Sequence, residues 1–164
     1  MNEKLKEILG YVIVIVIVLL VKQFIITPIK VNGNSMNNTL LNKDIMILDK
    51  ISYRFSDIKR FDIVVIKKNG EYLIKRIIGL PGEKLRYENN KLYINGKEVE
   101  ENFNHFLTED FILDGEIPAN NYFVVGDNRI DSLDSRFIGF IKEEEILGKT
   151  SLVIYPFKRF GNKN

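Results

Sequence analysis

The sequence has no cysteine and only one histidine in 164 residues. Disulfides, thiol nucleophiles and cysteine-rich zinc sites are therefore excluded. A histidine-based mechanism would have to use His105. The lack of cysteine leaves the redox compartment open and is compatible with a place outside the cytoplasm. An excess of one charge is also missing. Lys and Arg number 24 against 22 Asp and Glu, a net +2, so nothing points to a nucleic acid or other polyanion. Neither repeats nor low-complexity segments appear beyond the N-terminal apolar run, and helical periodicity is scarce after it. The length suits one domain with a short appendage.

What is present begins with that apolar run. Residues 8–21 (ILGYVIVIVIVLLV) carry no charge. As a helix they span about 21 Å, short of the roughly 30 Å hydrocarbon core, whereas continuation to Ile29 gives about 33 Å. Lys22 can snorkel toward the interface. A cleaved leader would need small residues at its end, but Phe24-Ile25-Ile26-Thr27-Pro28 follows. A buried strand of this length is unusual. The reading adopted is a retained single-span anchor. The flanking lysines (Lys4 and Lys6 against Lys22 and Lys30) code its orientation only faintly.

Beyond the anchor, short apolar runs bounded by turn residues predict strands at 30–31, 44–49, 63–67, 72–78, 84–88, 91–94, 121–125 and 150–155. Asn69-Gly70 and Asn95-Gly96 are hairpin signals. Residues 100–114 read as a loop or short helix, and 141–147 as one helical turn. The expected fold class is mainly β: antiparallel sheets in a partly closed, barrel-like domain, preceded by one transmembrane helix.

Three segments can carry chemistry. Ser35 follows the turn residues Asn32-Gly33-Asn34, so it should emerge from a loop. Lys75 lies in the strand-like run Tyr72-Leu73-Ile74-Lys75-Arg76-Ile77-Ile78. If buried, its pKa falls from about 10.4 toward roughly 7–8, at a cost on the order of 3–5 kcal/mol, and it becomes a proton acceptor. On the solvent face of a half-buried strand it would be an ordinary surface cation. The third segment is Gly126-Asp127-Asn128-Arg129-Ile130-Asp131-Ser132-Leu133-Asp134-Ser135-Arg136. Its plain reading is a solvated turn; its composition would also suit calcium, although the spacing is not that of an EF-hand loop.

In order, the anchor, Gly33-Asn34-Ser35-Met36-x-x-Thr39-Leu40, Lys75-Arg76-Ile77-Ile78-Gly79-Leu80-Pro81-Gly82-Glu83 and Gly126-Asp127-Asn128-Arg129-x-x-Ser132-x-Asp134-Ser135-Arg136 resemble the blocks of the bacterial type I signal peptidases. Arg60-Phe61-Asp62-Ile63-Val64-Val65 resembles a further block. The resemblance runs from the anchor to about Tyr155. It implies a membrane-bound endopeptidase, facing the outer side of the plasma membrane, that removes signal peptides after Ala-x-Ala-like motifs. Residues 1–29 would be a short cytoplasmic N-terminus plus anchor. Residues 30–164 would form the extracytoplasmic domain, with a small hairpin insertion at about 84–120.

By position, the resemblance makes Ser35 the nucleophile and Lys75 the general base. Ser132 would bond and orient the lysine. Asp134 and Arg136 would form a supporting ion pair that could include Arg76, and the Ser35 N–H would be the oxyanion donor. Matching pocket positions are Ile29, Val31, Leu40, Leu73 and Ile74, whose plain reading is ordinary core. Partners implied are signal-peptide-bearing preproteins and membrane lipid; no cofactor, metal or nucleic acid is expected.

Two departures stand out. Asn38 takes a position where the family usually has proline, and Gly33 one where some members carry a hydroxyl donor. His105, between the blocks, is not expected to act. Met36 reads as packing. Two other classes stay open: a self-cleaving Ser/Lys repressor, which would need a DNA-binding N-terminus, and a tethered β-domain that binds exported proteins without cutting them.

Overall fold

A computed structural model describes residues 3–163. Helix α1 (Glu3–Phe24) has 22 residues, about 33 Å at 1.5 Å per residue. Its segment Lys6–Phe24, mean hydropathy 2.3, is long and apolar enough to cross a membrane, and none of that stretch is buried. The helix gains its length at the N-terminal end and stops five residues before Ile29. Pro28 explains the stop, because it disfavours helical backbone in the residue before it. The chain turns directly into strand β1 (Ile26–Lys30), four residues earlier than the strand expected at 30–31.

Freed carbonyls at the helix end are capped. Thr27 Oγ1 donates to the Lys22 carbonyl at 2.8 Å, and Lys50 Nζ reaches the Lys22 and Gln23 carbonyls at 3.4 and 3.2 Å. A cation at a helix C-terminus also complements the macrodipole.

The remaining strands are β2 (Ile45–Asp49), β3 (Ile63–Lys68), β4 (Glu71–Gly79), β5 (Leu85–Glu88), β6 (Lys91–Ile94), β7 (Lys97–Val99), β8 (Phe111–Ile112), β9 (Asn121–Val125), β10 (Ile141–Lys142), β11 (Ile146–Tyr155) and β12 (Gly161–Asn162). A four-residue helix, α2 (Ser135–Ile138), follows β9. The larger sheet runs β1-β2-β11-β3-β4-β9-β10, with β12 on β11; the smaller runs β7-β6-β5-β8. Every pairing is antiparallel. The fold is mainly antiparallel β behind one apolar helix. The path from β1 to β10 is open, however, and the sheets do not close into a barrel.

Both Asn-Gly hairpins form, with φ of 52° and 84° at Asn69-Gly70 and 50° and 81° at Asn95-Gly96. A third, Asn89-Asn90 (φ 52° and 61°), joins β5 to β6. Residues 100–114 contain no helix, only extended chain and β8. The helical turn expected at 141–147 shrinks to a 3-10 turn, Glu143–Glu145, between β10 and β11. Strand β11 begins at Ile146, four residues before the expected start. Gly148 permits that extension, since a Cβ there would lie 2.1 Å from the Asp49 carbonyl oxygen of the neighbouring strand.

Candidate active site

The loop after β1 is built to hold a turn. Val31 and Lys43 close its base, with Val31 N–H bonded to Asp44 O at 2.8 Å and Lys43 N–H to Val31 O at 2.9 Å. Met36 O accepts from the N–H groups of Thr39 and Leu40, so the backbone winds tightly just after Ser35. Asn38 has φ +84°, a value closed to proline, whose ring holds φ near −65°. The turn is therefore differently constructed here, not merely loosened. Met36 is buried with Val31, Leu40 and Met46, which agrees with a packing role.

Strand β4 carries Lys75. Its register sets Lys75 opposite Val64 and Arg76 opposite Ile63 on β3. Successive residues face opposite sides of a sheet, and both sides are covered at this point. Lys75 is 2% exposed and Arg76 is 1% exposed. Lys75 Nζ lies 2.6 Å from Ser35 Oγ. Burial lowers its pKa from 10.5 to about 8; the Asp134 carboxylate opposes this and the Arg136 guanidinium adds to it. The surface-cation reading of Lys75 is excluded.

The 126–136 loop clamps the serine turn. Asn128 N–H donates to Ser35 O at 3.0 Å and Asn128 Nδ2 to Asn34 O at 3.2 Å. Among the described residues the Ser35 N–H has no partner. Gly126 packs against the same turn, and a Cβ on it would sit 2.3 Å from both Ser35 O and Ser132 Oγ. Ser132 is thus beside the Ser35–Lys75 pair, but its Oγ is buried without a hydrogen-bond partner among the described residues. The expected Ser132–Lys75 bond is not formed. The lysine's one side-chain hydrogen bond, among the described residues, goes to Ser35.

Asp134 and Arg136 pair bidentately at 2.8 Å, and Asp134 also accepts the Gly126 N–H at 3.0 Å. Arg76 does not join them. It binds Asp127 through two hydrogen bonds of 2.9 and 2.7 Å, with both side chains at most 1% exposed. Opposite projection of Lys75 and Arg76 from β4 is the reason. Thr39 Oγ1 donates to Asp127 Oδ2 at 2.5 Å, and the Arg76 guanidinium lies 3.9 Å from the centre of the Phe103 ring. Thr39, Asp127 and Asn128 thus tie the serine turn to the 126–136 loop, and the sequence alone did not single them out. Their signal was membership of the two motif blocks.

A cleft of about 630 Å³ contains Ser35 and Lys75 and runs between β1 and β4. Ile29, Val31, Leu73 and Ile74 line it. Leu40 does not: it is fully buried in the core beneath the serine turn. Among the described residues, both flanking strands have an unpaired edge. Strand β1 is the outermost of its sheet, and β9 pairs with β4 only along Arg76–Gly79, leaving Glu71–Lys75 open on that side. His105 is held elsewhere, with Nδ1 2.8 Å from Phe106 O and Nε2 3.6 Å from Glu101. Among the described residues no cluster of His, Asp or Glu could hold a metal ion.

The family model described as "Signal peptidase, peptidase S26" matches residues 5–155. Signal peptidase I V of Bacillus subtilis is 42% identical over 158 residues, covering 87% of this chain and 94% of that protein. Signal peptidase I of Bacillus caldolyticus is 38% identical over 163 residues, 90% of each chain. A crystal structure of a signal peptidase I from Enterococcus faecalis superposes with a TM-score of 0.54 at 37% identity, covering 57% of this chain and 97% of that one.

Proposed function

The chain belongs to the signal peptidase (peptidase S26) family, and we propose that it is a membrane-anchored endopeptidase whose Ser35–Lys75 dyad removes signal peptides from exported preproteins. One observation carries this reading: a lysine amine 2% exposed and 2.6 Å from a loop serine hydroxyl. The neutral Lys75 amine takes the Ser35 Oγ proton as the oxygen attacks the scissile carbonyl carbon. The free Ser35 N–H stabilises the oxyanion, without a side-chain donor from Gly33. The ammonium then protonates the leaving amine. Lys75, neutral again, activates the water that hydrolyses the acyl-serine ester. Asp134 supports this geometry by holding the Gly126 N–H beside the serine turn, and Arg136 fixes the Asp134 carboxylate.

The substrate enters as an extended strand between the open edges of β1 and β4, where backbone pairing gives affinity without demanding sequence. Ile29, Val31, Leu73 and Ile74 form shallow apolar walls that admit alanine and exclude larger side chains. In this reading residues 1–29 comprise a cytoplasmic N-terminus and a single-pass anchor. Residues 30–164 form the outer domain, with the smaller sheet as an insertion. Protease accessibility in sealed vesicles tests that orientation.

Incubation of the purified protein with a preprotein in lipid vesicles should produce a new N-terminus just after an Ala-x-Ala-like motif, read by mass spectrometry. An intact preprotein would leave the tethered-binder reading standing instead. Gly126→Ala should lower kcat by about 10²-fold, because its Cβ displaces Ser35 itself, and misplacement of about 1 Å has that effect. An unchanged rate in a folded Gly126→Ala variant would show that the clamp is dispensable.

A further inference from the structure

The helix end and the cleft share residues. Val16, Leu19, Leu20 and Phe24 of α1 line a groove of about 620 Å³ together with the polar residues Lys22, Gln23, Thr27 and Lys50. Thr27 and Lys50 also line the cleft that holds Ser35 and Lys75. The two concavities therefore meet at the point where α1 becomes β1. The four apolar side chains recur at helical spacing on one face, and each is about half exposed.

We propose that this groove seats the apolar segment of the signal peptide, packed as a helix alongside α1, while the residues before the scissile bond lie in the cleft. The proposal rests on the peptidase reading above. Its first support is continuity. A substrate strand following β1 from Val31 back to Thr27 crosses four residues, about 13 Å, and then arrives at the groove. Its second support is length. Signal peptides carry an apolar region of about 7–15 residues close before the cleavage site, roughly 10–22 Å as helix, and Val16 to Phe24 offers about 13 Å.

Charge gives a third support. A helix ending here exposes up to four unpaired carbonyls at membrane depth. Lys50 Nζ already reaches the Lys22 and Gln23 carbonyls of α1, and an ammonium has three protons to donate. It can cap both helix ends at once. The occupant is thus an apolar helix that terminates at the same level as α1, which a lipid tail does not satisfy.

The cysteine-free sequence makes the test direct. Full-length enzyme carrying Ser35→Ala, to keep the preprotein uncut, receives a single cysteine on the groove face (Val16→Cys or Leu20→Cys) or on the opposite face (Val14→Cys or Val18→Cys). Each variant is reconstituted in vesicles with a preprotein bearing one cysteine in its apolar segment, then oxidised. The groove face should give at least about tenfold more enzyme–preprotein disulfide. Equal yields from both faces, no adduct at either, or enzyme–enzyme dimers from the groove face would overturn the assignment. As a second measure, Leu20→Trp in the active enzyme should lower kcat/KM about tenfold for the preprotein. A short peptide spanning only the cleavage motif should be cut at the unmodified rate, which also reports correct folding. Equal losses on both substrates would overturn the proposal. Preprotein cleavage by the unmodified enzyme reports separately on the peptidase reading.

Discussion

Lys75→Met should abolish preprotein cleavage, lowering kcat by about 10⁴-fold or more, and Ser35→Ala should do the same. With Ser35 and Lys75 in the proposed roles of nucleophile and base, acting as one unit, the two losses should not add. Methionine is the informative replacement, since it is close to lysine in length and lacks a proton-accepting nitrogen. In the unmodified enzyme, kcat/KM should rise with pH through a limb centred near 8, where Lys75 loses its proton. A limb near 10, or activity retained in either variant, would sink the assigned roles.

The same lysine makes the fold less stable at neutral pH. Its folded pKa lies below its unfolded value, so between about 8 and 10.5 the unfolded chain holds the extra proton. Stability therefore rises with pH across that window. Below it the penalty for burying the ammonium is present in full, on the order of 3 kcal/mol. Lys75→Met should thus be more stable than the parent at pH 7 by up to about that amount, and should lack the parent's rise between pH 8 and 10. Denaturant titrations of both proteins at pH 7 and pH 10 measure the difference. A variant that is inactive yet stabilised would separate catalysis from folding at one residue.

Asp127→Ala should destabilise the protein by about 3–5 kcal/mol, among the largest effects of any single change here. It would strand the Arg76 guanidinium, 1% exposed, without a counter-ion. Thr39 would lose its acceptor on the same carboxylate. Because Thr39 belongs to the serine turn and Asp127 to the clamping loop, kcat should fall as well. The double variant Arg76→Met/Asp127→Ala removes the stranded charge and should recover much of the stability. A loss below about 1 kcal/mol in the single variant would mean that water reaches Arg76 and the pair is not the joint between the two loops.

Local chemistry made part of this molecule legible. Strands 91–94 and 121–125 fall where expected because turn residues stop the apolar runs at their ends. The apolar helix ends at Phe24 and not at Ile29, because Ile25 and Ile26 suit helix and strand equally and Pro28 is the signal that ends it. Strands β7, β8, β10 and β12 have two or three residues each, too few for a period to appear. At the site, Ser35 and Lys75 were found through the motif blocks around them. Leu40 was misassigned because an apolar residue near a serine reads alike whether it faces a cleft or the core.

By itself the sequence determined the apolar span, the Asn-Gly hairpins, the β character of the remainder and the presence of one serine block and one lysine block. Each is a property of neighbours within a few residues, where backbone preference and hydropathy act. Only the tertiary structure decided that Lys75 is buried, that Arg76 pairs with Asp127 rather than Asp134, that the Ser132 hydroxyl finds no partner among the described residues and that the cleft meets the groove on the helix. Those outcomes depend on which strands lie side by side, and the partners are separated by up to about ninety residues. Desolvation and directed hydrogen bonds act over a few ångströms of space, a distance that the linear order of residues does not encode.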